Sequence, residues 1–236
     1  MATVNEMLSG YKGQVKWASE VFDKLSREAS EDLASMIHPS SYPAKVVLFS
    51  ENEPSQHVFM VLDGEVKLSM NSSDGKRLIL RIAKKGEVVG LASAFTGNPY
   101  EMTAEALYPC VLACIERREY MDFLMRHPEA YQTSIEELGR QLTMACEQLR
   151  TVALSSSAPE KLARLLLDWS KDGQSTESGA RFRFCLTHEE VGEFIGTSRE
   201  TVTRTLKVFK SLRLVTFNGS TLSIPNRTAL ESYAAC

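Results

Sequence analysis

One segment near the C-terminus constrains the fold more than any other. Residues 186–215 read LTHEEVGEFIGTSRETVTRTLKVFKSLRLV, which contains two short amphipathic stretches separated by a glycine. Thr187 followed by Glu190 predicts a capping box that begins the first helix, and Ser198 predicts the N-cap of the second. Gly196 permits the tight turn between the two helices. The segment therefore predicts a helix-turn-helix.

The second predicted helix divides into an inward and an outward face. Apolar spacings of four and three predict the inward residues Val202, Leu206 and Phe209. The outward residues are Arg199, Glu200, Thr203, Arg204 and Lys207. Arg donates two hydrogen bonds to guanine, Glu accepts one from cytosine, and Lys suits phosphate. A solvated helix with Arg–Glu pairs and no ligand is the alternative interpretation. A hairpin wing predicted at Asn218-Gly219 favours DNA.

The overall charge gives no sign of a nucleic-acid partner, since the net charge is −3. The residues from 158 to 236 nevertheless carry 11 Lys and Arg against 9 Asp and Glu. A DNA-binding protein needs a basic face rather than a basic total. The charge therefore leaves the helix-turn-helix interpretation open.

Residues 118–154 predict a helix with an apolar seam. The seam residues are spaced alternately by four and three: Tyr131, Ile135, Leu138, Leu142, Ala145, Leu149 and Val152. This heptad pattern predicts a coiled-coil partner, and hence a homodimer. The alternative is one long helix that packs on its own domain. The SSSAP stretch at 155–159 predicts the end of the helix and a linker.

Short β-rich runs with glycine-containing turns occupy residues 43 to about 117. Asp63-Gly64 between two apolar runs predicts a hairpin. Alternation after this turn predicts a buried face formed by Val66, Leu68 and Met70. It predicts an opposite face formed by Glu65, Lys67 and Ser69. Many short strands at even spacing predict a closed roll or barrel. Residues 1 to about 40 predict helices that end at His38-Pro39, with Val21 and Phe22 among the apolar positions.

Together these patterns predict an α+β chain in three parts: 1–117, a β-roll domain with N-terminal helices; 118–154, a dimerisation helix; and 155–236, a winged helix-turn-helix. No apolar run is long enough to span a membrane, and no signal peptide is evident, so we expect a cytoplasmic protein.

Five scattered cysteines argue against a disulfide framework. Cys110 and Cys114 predict buried thiols, with a redox or metal role as the alternative. HExxH, GxSxG and P-loop motifs are absent, so we expect neither an enzyme nor a metal site.

The chain resembles the Crp/Fnr family of bacterial regulators from about residue 20 to 225. The resemblance rests on FMVLDGEVKL, GEVVGLASAF, the dimer helix and LTHEEVGEFIGTSRETVTRTLK. It is similar to the catabolite-activator branch, whose recognition helix carries R-E-x-x-x-R. This resemblance implies that Arg199, Glu200 and Arg204 read a TGTGA-type half-site and that Thr187 and Ser198 contact phosphate. Thr203 stands where that branch usually has Gly.

The effector pocket departs from the cyclic-nucleotide members of that family. The positions implied to form the pocket are Gly90, Leu91, Ala92, Met102, Thr103 and Cys146. The usual Gly-Glu pair is Gly90-Leu91, and the Arg that binds the cyclic phosphate is replaced by Met102. Backbone amides near Gly90 and Ala92, or Arg81 from its strand, remain as anion ligands. The lost Arg argues against cyclic AMP as effector, and no cysteine precedes Cys110 to hold an iron–sulfur cluster.

The sequence therefore predicts a regulator that binds double-stranded DNA as a homodimer on an inverted repeat. We expect an unidentified small-molecule effector in the roll and RNA polymerase as a partner. The alternative is a cyclic-nucleotide-responsive regulator with an atypical pocket.

Overall fold

The computed structural model describes residues 25–154, 157–176 and 179–234. The chain divides into two compact units, Met1–Met70 with Leu80–Ala145, and Asn71–Ile79 with Cys146–Cys236. Val21 and Phe22, which the sequence places in a helix, lie outside the described residues. No helix in these described ranges is long and apolar enough to cross a membrane.

The first unit combines short strands with helices. Its elements in chain order are α1 (Arg27–Met36), β1 (Pro39–Tyr42), β2 (Val47–Phe49), β3 (His57–Asp63), β4 (Val66–Asn71), β5 (Arg77–Ala83), β6 (Val88–Val89), α2 (Leu91–Thr96), β7 (Thr103–Ala106), β8 (Cys110–Glu116), α3 (Arg117–Arg126) and α4 (Pro128–Leu154). The strands form two sheets, with the orders β1-β8-β3-β6 and β2-β7-β4-β5. The second unit takes up Asn71–Ile79, which includes the start of β5, and α4 from Cys146 onward.

Strand β3 shows why this unit is a roll. Its residues Val58, Met60 and Leu62 are buried in a cluster with helices α1, α2 and α3. Phe59 and Val61 are buried in a second cluster, which also takes residues from the other sheet. A strand covered on both faces is expected to be apolar along its length, as HVFMVLD is. The second cluster is the roll interior.

The predicted hairpin at Asp63-Gly64 is wrong. The two strands that flank it, β3 and β4, belong to different sheets, so the turn carries the chain from one sheet to the other. Gly64 has φ +88°, and a Cβ there would lie 2.6 Å from the Cβ of Cys110. The glycine signal marks a tight turn at a close approach rather than a paired hairpin.

The predicted faces of β4 are correct only in part, since Val66 and Leu68 are buried as predicted but three other residues are not placed as expected. Lys67 and Ser69 are buried, at 3% and 0% exposure, whereas Met70 is 38% exposed. Lys67 lies directly opposite Glu105 on β7, and its Nζ is 3.0 Å from the Glu105 carboxylate. This pairing lets a cationic side chain lie in a buried position, which the alternation rule does not anticipate.

The helix predicted over 118–154 is two helices. Helix α3 ends at Arg126 and α4 begins at Pro128. Proline lacks a backbone N–H, so it breaks a continuing helix but is well tolerated in the first turn of a new one. The whole predicted heptad seam, from Tyr131 to Val152, therefore lies in α4. At the N-terminal side, α1 ends at Met36 and Pro39 begins β1.

The second unit packs helices on a small sheet. Its elements are α5 (Ala158–Trp169), a 3-10 turn (Ser170–Asp172), β9 (Gln174–Ser175), β10 (Ala180–Arg183), α6 (His188–Ile195), α7 (Arg199–Ser211), β11 (Thr216–Asn218), β12 (Thr221–Ile224) and α8 (Arg227–Ala234). The sheet order is β11-β12-β10-β9. Pro159, predicted to lie in a linker, is in the first turn of α5, which Ser157 caps by accepting from the Glu160 N–H at 3.3 Å.

Candidate nucleic-acid interface

Helices α6 and α7 form the predicted helix-turn-helix. The Thr187 side chain accepts from the Glu190 N–H at 3.1 Å, and the Glu190 carboxylate accepts from the Thr187 N–H at 2.9 Å, which completes the capping box. Gly196 at the turn has φ +64°. Ser198 caps α7 by accepting from the Thr201 N–H at 3.2 Å. Both helices therefore begin where the sequence predicts, and the first ends at the predicted glycine turn.

The first two turns of α7 separate apolar from charged residues. Val202, Leu206 and Phe209 are buried at 1% exposure or less. The exposed charged residues of the opposite face are Arg199, Glu200, Arg204 and Lys207. We call these four residues together with Thr203 the recognition face. Thr203 is half-buried.

The cations of the recognition face are not neutralised by the protein. Some arginines of other helices pair with a carboxylate in the same helix: Arg27 with Glu31, Arg140 with Glu137, Arg164 with Glu160 and Arg227 with Glu231. By contrast, neither Arg199 nor Arg204 nor Lys207 forms an ion pair with any residue that the structure describes. Their side chains are therefore available to an external anion.

Glu200 provides a hydrogen-bond acceptor among these cations. A hydrogen bond from its own backbone N–H, another from Ser198 and the charge of Arg199 lower the pKa of the Glu200 carboxyl. The group is ionised at neutral pH, so it can only accept hydrogen bonds. This is the form that the cytosine N4 amino group requires.

His188, the first residue of α6, contacts the recognition face from the neighbouring helix. Its Nδ1 lies 2.8 Å from the Thr203 hydroxyl, which also donates to the Arg199 carbonyl at 2.9 Å. Burial lowers the pKa of His188, and the charges of Lys210 and Arg199 lower it further. No local pattern in the sequence indicates this contact between two helices.

Behind α7, β11 and β12 form the predicted wing. The two strands pair antiparallel, and Gly219 in the turn between them has φ +58°. Lys210 Nζ lies 4.3 Å from the centre of the Phe217 ring, a cation–π contact that joins α7 to the wing. The wing therefore contacts the C-terminal half of the helix, while Arg199, Glu200 and Arg204 nearer its N-terminus are exposed.

The long helix α4 has its polarity reversed relative to an ordinary surface helix. Its buried side chains are largely polar and hydrogen-bonded: Thr133, Ser134, Glu137 and Gln148. Large apolar side chains face solvent instead, at exposures from 41% to 67%: Tyr131, Ile135, Leu142 and Leu149. Leu138, Ala145 and Val152 of the predicted seam are half-buried. An apolar stripe of this kind normally packs against another surface.

Comparisons with known proteins agree with this architecture. Residues 39–127 match the model of the cyclic nucleotide-binding domain, and residues 160–233 match that of the Crp-like helix-turn-helix domain. The cAMP-activated global transcriptional regulator CRP of Pasteurella multocida (strain Pm70) is 26% identical over 191 residues, which are 80% of this chain and 91% of that protein. The chain belongs to the Crp/Fnr family of transcriptional regulators.

Other relatives and structures extend this similarity. The CRP-like cAMP-activated global transcriptional regulator of Mycobacterium tuberculosis (strain ATCC 25618 / H37Rv) is 24% identical over 215 residues, which cover 91% of this chain and 96% of that protein. The structure of FixK2 from Bradyrhizobium japonicum has a TM-score of 0.75 at 22% identity, with 85% of this chain and 98% of that chain covered. At this identity FixK2 supports the fold alone. The chain is thus a Crp/Fnr transcription regulator with a helix-turn-helix DNA-binding domain.

In this Crp/Fnr member, aromatic side chains fill the roll interior. The rings of Phe49 and Tyr100 stack with centroids 3.8 Å apart, and Phe59 lies 5.8 Å from Phe49. Tyr100 is fixed further because its hydroxyl donates to the His57 carbonyl at 2.7 Å and accepts from the His57 N–H at 3.0 Å. Its ring also lies over Gly90, where a Cβ would be 3.1 Å from Tyr100 Cε1.

The effector positions implied by the resemblance do not all face this interior. Met102 packs against the roll interior, but Leu91 is buried in the other cluster, beneath α1 and α3. Thr103 Oγ1 accepts from the Glu51 N–H at 3.0 Å, and Ala92 is half-buried. Cys146 is exposed on α4. At the position where the resemblance implies a polar ligand, this chain therefore has Leu91, a buried core residue.

The buried cation of the roll is already paired. Arg81 is 4% exposed and lies on the same face of β5 as Ala83, which faces the roll interior. Its guanidinium is hydrogen-bonded to the Glu87 carboxylate, which also accepts from the Lys84 N–H at 2.9 Å. Sequence reasoning considered Arg81 as an anion ligand but missed Glu87, whose partner lies six residues earlier across a turn.

Of the two cysteines of β8, Cys110 is buried as predicted, whereas Cys114 is half-buried. Burial raises the pKa of Cys110 to about 11, with a smaller contribution from the charge of Asp63. Burial also raises the pKa of Cys114. Both groups stay protonated at neutral pH, and the described ranges contain no cluster of three or more His, Cys, Asp or Glu able to hold a metal.

Proposed function

We propose that this protein is a homodimer that binds an inverted-repeat, TGTGA-type DNA site under the control of an effector in the β-roll. The observation that carries the DNA-binding part is the recognition face, whose Arg199, Arg204 and Lys207 are exposed and form no ion pair with the described residues. In a helix-turn-helix, the N-terminal turns of the second helix reach base edges in the major groove.

The charged residues of the recognition face divide into base contacts and a phosphate contact. Arg199 and Arg204 donate to guanine O6 and N7, and Glu200 accepts from cytosine N4. Lys207, one turn further along α7, contacts phosphate. Thr187 and Ser198 lie at the N-termini of α6 and α7, where backbone N–H groups also favour phosphate.

The two capping hydroxyls have to exchange partners to contact phosphate. The Thr187 hydroxyl donates to Glu190 Oε2 at 3.0 Å, and the Ser198 hydroxyl, 3.1 Å from Thr201 Oγ1, shares its one proton between this oxygen and the Glu200 carboxylate. A phosphate oxygen is a stronger, charged acceptor for the same protons. We therefore assign both residues as phosphate contacts that form on binding.

The proposed dimer rests on the reversed polarity of α4. Ile135, Leu142 and Leu149 are apolar, exposed and spaced by seven residues, while the opposite face of the helix is hydrogen-bonded within its own protomer. A second copy of the same helix presents the same stripe, so a two-fold axis brings matching apolar surfaces together. RNA polymerase as a further partner rests on the family alone.

A charge in the α4 stripe tests the dimer. Leu142→Asp places a carboxylate among apolar side chains, so we expect a monomer that also loses specific DNA binding, because one half-site offers few contacts. Thr143→Asp is the matched control, since Thr143 is exposed beside the stripe and its hydroxyl donates to the Gly139 carbonyl of its own helix. In sedimentation experiments the Thr143→Asp control should remain a dimer. A Leu142→Asp protein that stays dimeric at micromolar concentration contradicts the assignment.

We propose the sensor role from the roll itself. Cyclic nucleotides are the second candidate for the effector, because the roll matches the cyclic nucleotide-binding domain model and relatives are described as cAMP-activated. A cyclic phosphate carries a negative charge that is costly to bury without a cation. Arg81, the buried guanidinium of β5, is held by Glu87, and Phe49 and Tyr100 occupy the interior. These contacts favour an uncharged, less polar effector, or a roll filled by its own side chains.

Calorimetry with cyclic AMP separates the two candidates. We expect no saturable heat up to millimolar cyclic AMP and no change in DNA affinity. A ligand at 100 times its dissociation constant should stabilise the folded protein by about 2.7 kcal/mol, so thermal unfolding gives a second readout. Micromolar binding with a matching gain in specific DNA affinity would establish the cyclic-nucleotide-responsive alternative.

A further inference from the structure

The hydroxyl group of Thr203 is fully engaged within the protein. A threonine hydroxyl has one proton, and here the geometry directs it to the Arg199 carbonyl, 2.9 Å away. The 2.8 Å contact with His188 Nδ1 must then have the ring N–H donating to the Thr203 oxygen. The lowered pKa of His188, caused first by burial, agrees with a neutral ring that carries its proton on Nδ1.

Thr203 nevertheless lies in the middle of the recognition face. It is four residues after Arg199 and three after Glu200, so these three side chains are neighbours on the surface of α7. Lys207 follows one turn later. Because the Thr203 oxygen is held toward Arg199 and His188, the Cγ2 methyl is the remaining substituent of its Cβ for contact with a ligand of this face.

Thymine is the base with a matching chemical group. Its C5-methyl projects into the major groove, where protein methyl groups recognise it by apolar contact. We infer that the Thr203 methyl contacts a thymine C5-methyl in each half-site and that His188 is the positioning residue that orients it. This inference rests on the proposed DNA binding and adds a base contact that the charged residues of α7 do not provide.

Replacing thymine by deoxyuridine removes the C5-methyl alone and tests the contact. The DNA used is the inverted repeat that the wild-type protein selects, with single thymines changed in turn and affinity measured by fluorescence anisotropy. We expect one position per half-site at which the change weakens binding about fourfold, the effect of one buried methyl group. At the remaining thymines we expect little change.

Variants at position 203 assign this effect to its methyl group. Thr203→Ser keeps the hydroxyl and removes the methyl, so the affinities for thymine and uracil at that position should become equal. Thr203→Val keeps a branched side chain with a methyl in the preferred helical rotamer, so the discrimination should persist. Thr201→Ser, a neighbouring change on the same helix, is the matched control and should leave it unchanged. Thermal unfolding of each variant checks that folding is intact.

Variants of His188 test its positioning role through the ratio of the affinities for thymine and uracil at that position. His188→Ala should reduce the fourfold discrimination toward one, whereas His188→Asn, whose side-chain N–H reaches a similar place to Nδ1, should restore it. A ratio that no His188 variant changes overturns the positioning role. If uracil is tolerated at every position, or if Thr203→Ser keeps the discrimination, the methyl contact is wrong while the proposed function stands. A wild-type protein that selects no inverted repeat overturns both.

Discussion

Cationic side chains have opposite surroundings in the roll and in the recognition face. In the roll, Lys67 and Arg81 are buried, at 3% and 4% exposure, and each contacts a carboxylate, Glu105 or Glu87. On α7, Arg199 and Arg204 are exposed, and neither forms an ion pair with a described residue. The same residue types therefore stabilise structure in one region and remain available for a ligand in the other.

The contrast between paired and unpaired cations indicates where an anionic partner can bind. A buried cation already hydrogen-bonded to a carboxylate can take a phosphate only if that carboxylate is displaced and left without its charge partner. An exposed arginine loses only water when it contacts DNA, and it releases counterions from the phosphates. The charges thus favour a polyanion at α7 and argue against an anion in the roll.

The largest effect on the free energy of unfolding is expected from breaking the ion pair between Arg81 and Glu87 in the roll. Glu87→Ala leaves Arg81 buried without its charge partner, so we expect the free energy of unfolding to fall by about 3 kcal/mol, measured by urea denaturation. Replacing both partners, as Arg81→Met with Glu87→Gln, should cost less, because no uncompensated charge remains. If the free energy of unfolding of Glu87→Ala lies within about 0.5 kcal/mol of the wild-type value, the Arg81–Glu87 pair does not stabilise the roll, which contradicts the contrast between the two regions.

The next effect concerns specificity rather than stability. Arg199→Ala should weaken binding to the selected site by about 1–3 kcal/mol and relax the requirement at one base pair, since it removes a bidentate base contact. Unfolding should change by no more than about 0.5 kcal/mol, because Arg199 is exposed and has no ion-pair partner among the described residues. Equal weakening on all sequences would show that Arg199 contacts phosphate instead.

The smallest effect sharpens the distinction within α7. Lys207→Ala should weaken specific and non-specific DNA alike and reduce the slope of log affinity against log salt concentration by about 1, as loss of one phosphate contact requires. Titrations at a series of salt concentrations provide the slope. An unchanged slope would remove Lys207 from the DNA interface.

The sequence predicts the helix-turn-helix well because its signals are local. The Thr187–Glu190 capping box, Gly196 in the left-handed region and the Ser198 N-cap each act within a few residues, and the structure shows all three. The Asn218-Gly219 hairpin has the same character. The recognition face follows directly, because helical periodicity assigns its exposed side.

The roll is predicted less well because its determinants are distant in sequence. Alternation along β4 assumes one solvent face, but Lys67 is buried through Glu105 on β7. The Asp63-Gly64 turn joins different sheets, which no local pattern distinguishes from a hairpin. The contact of His188 with Thr203 likewise depends on how two helices pack. Such pairings need the tertiary fold before they can be identified.

The decisive experiment is selection from random double-stranded DNA by the wild-type protein. The account predicts enrichment of an inverted repeat of TGTGA-type half-sites, with centres one helical turn, about 34 Å, apart. Arg199→Ala should relax one position of each half-site in the same selection. Enrichment of no inverted repeat, at a salt concentration where non-specific binding is weak, would contradict the assignment of α7 as a sequence-reading helix in a symmetric dimer.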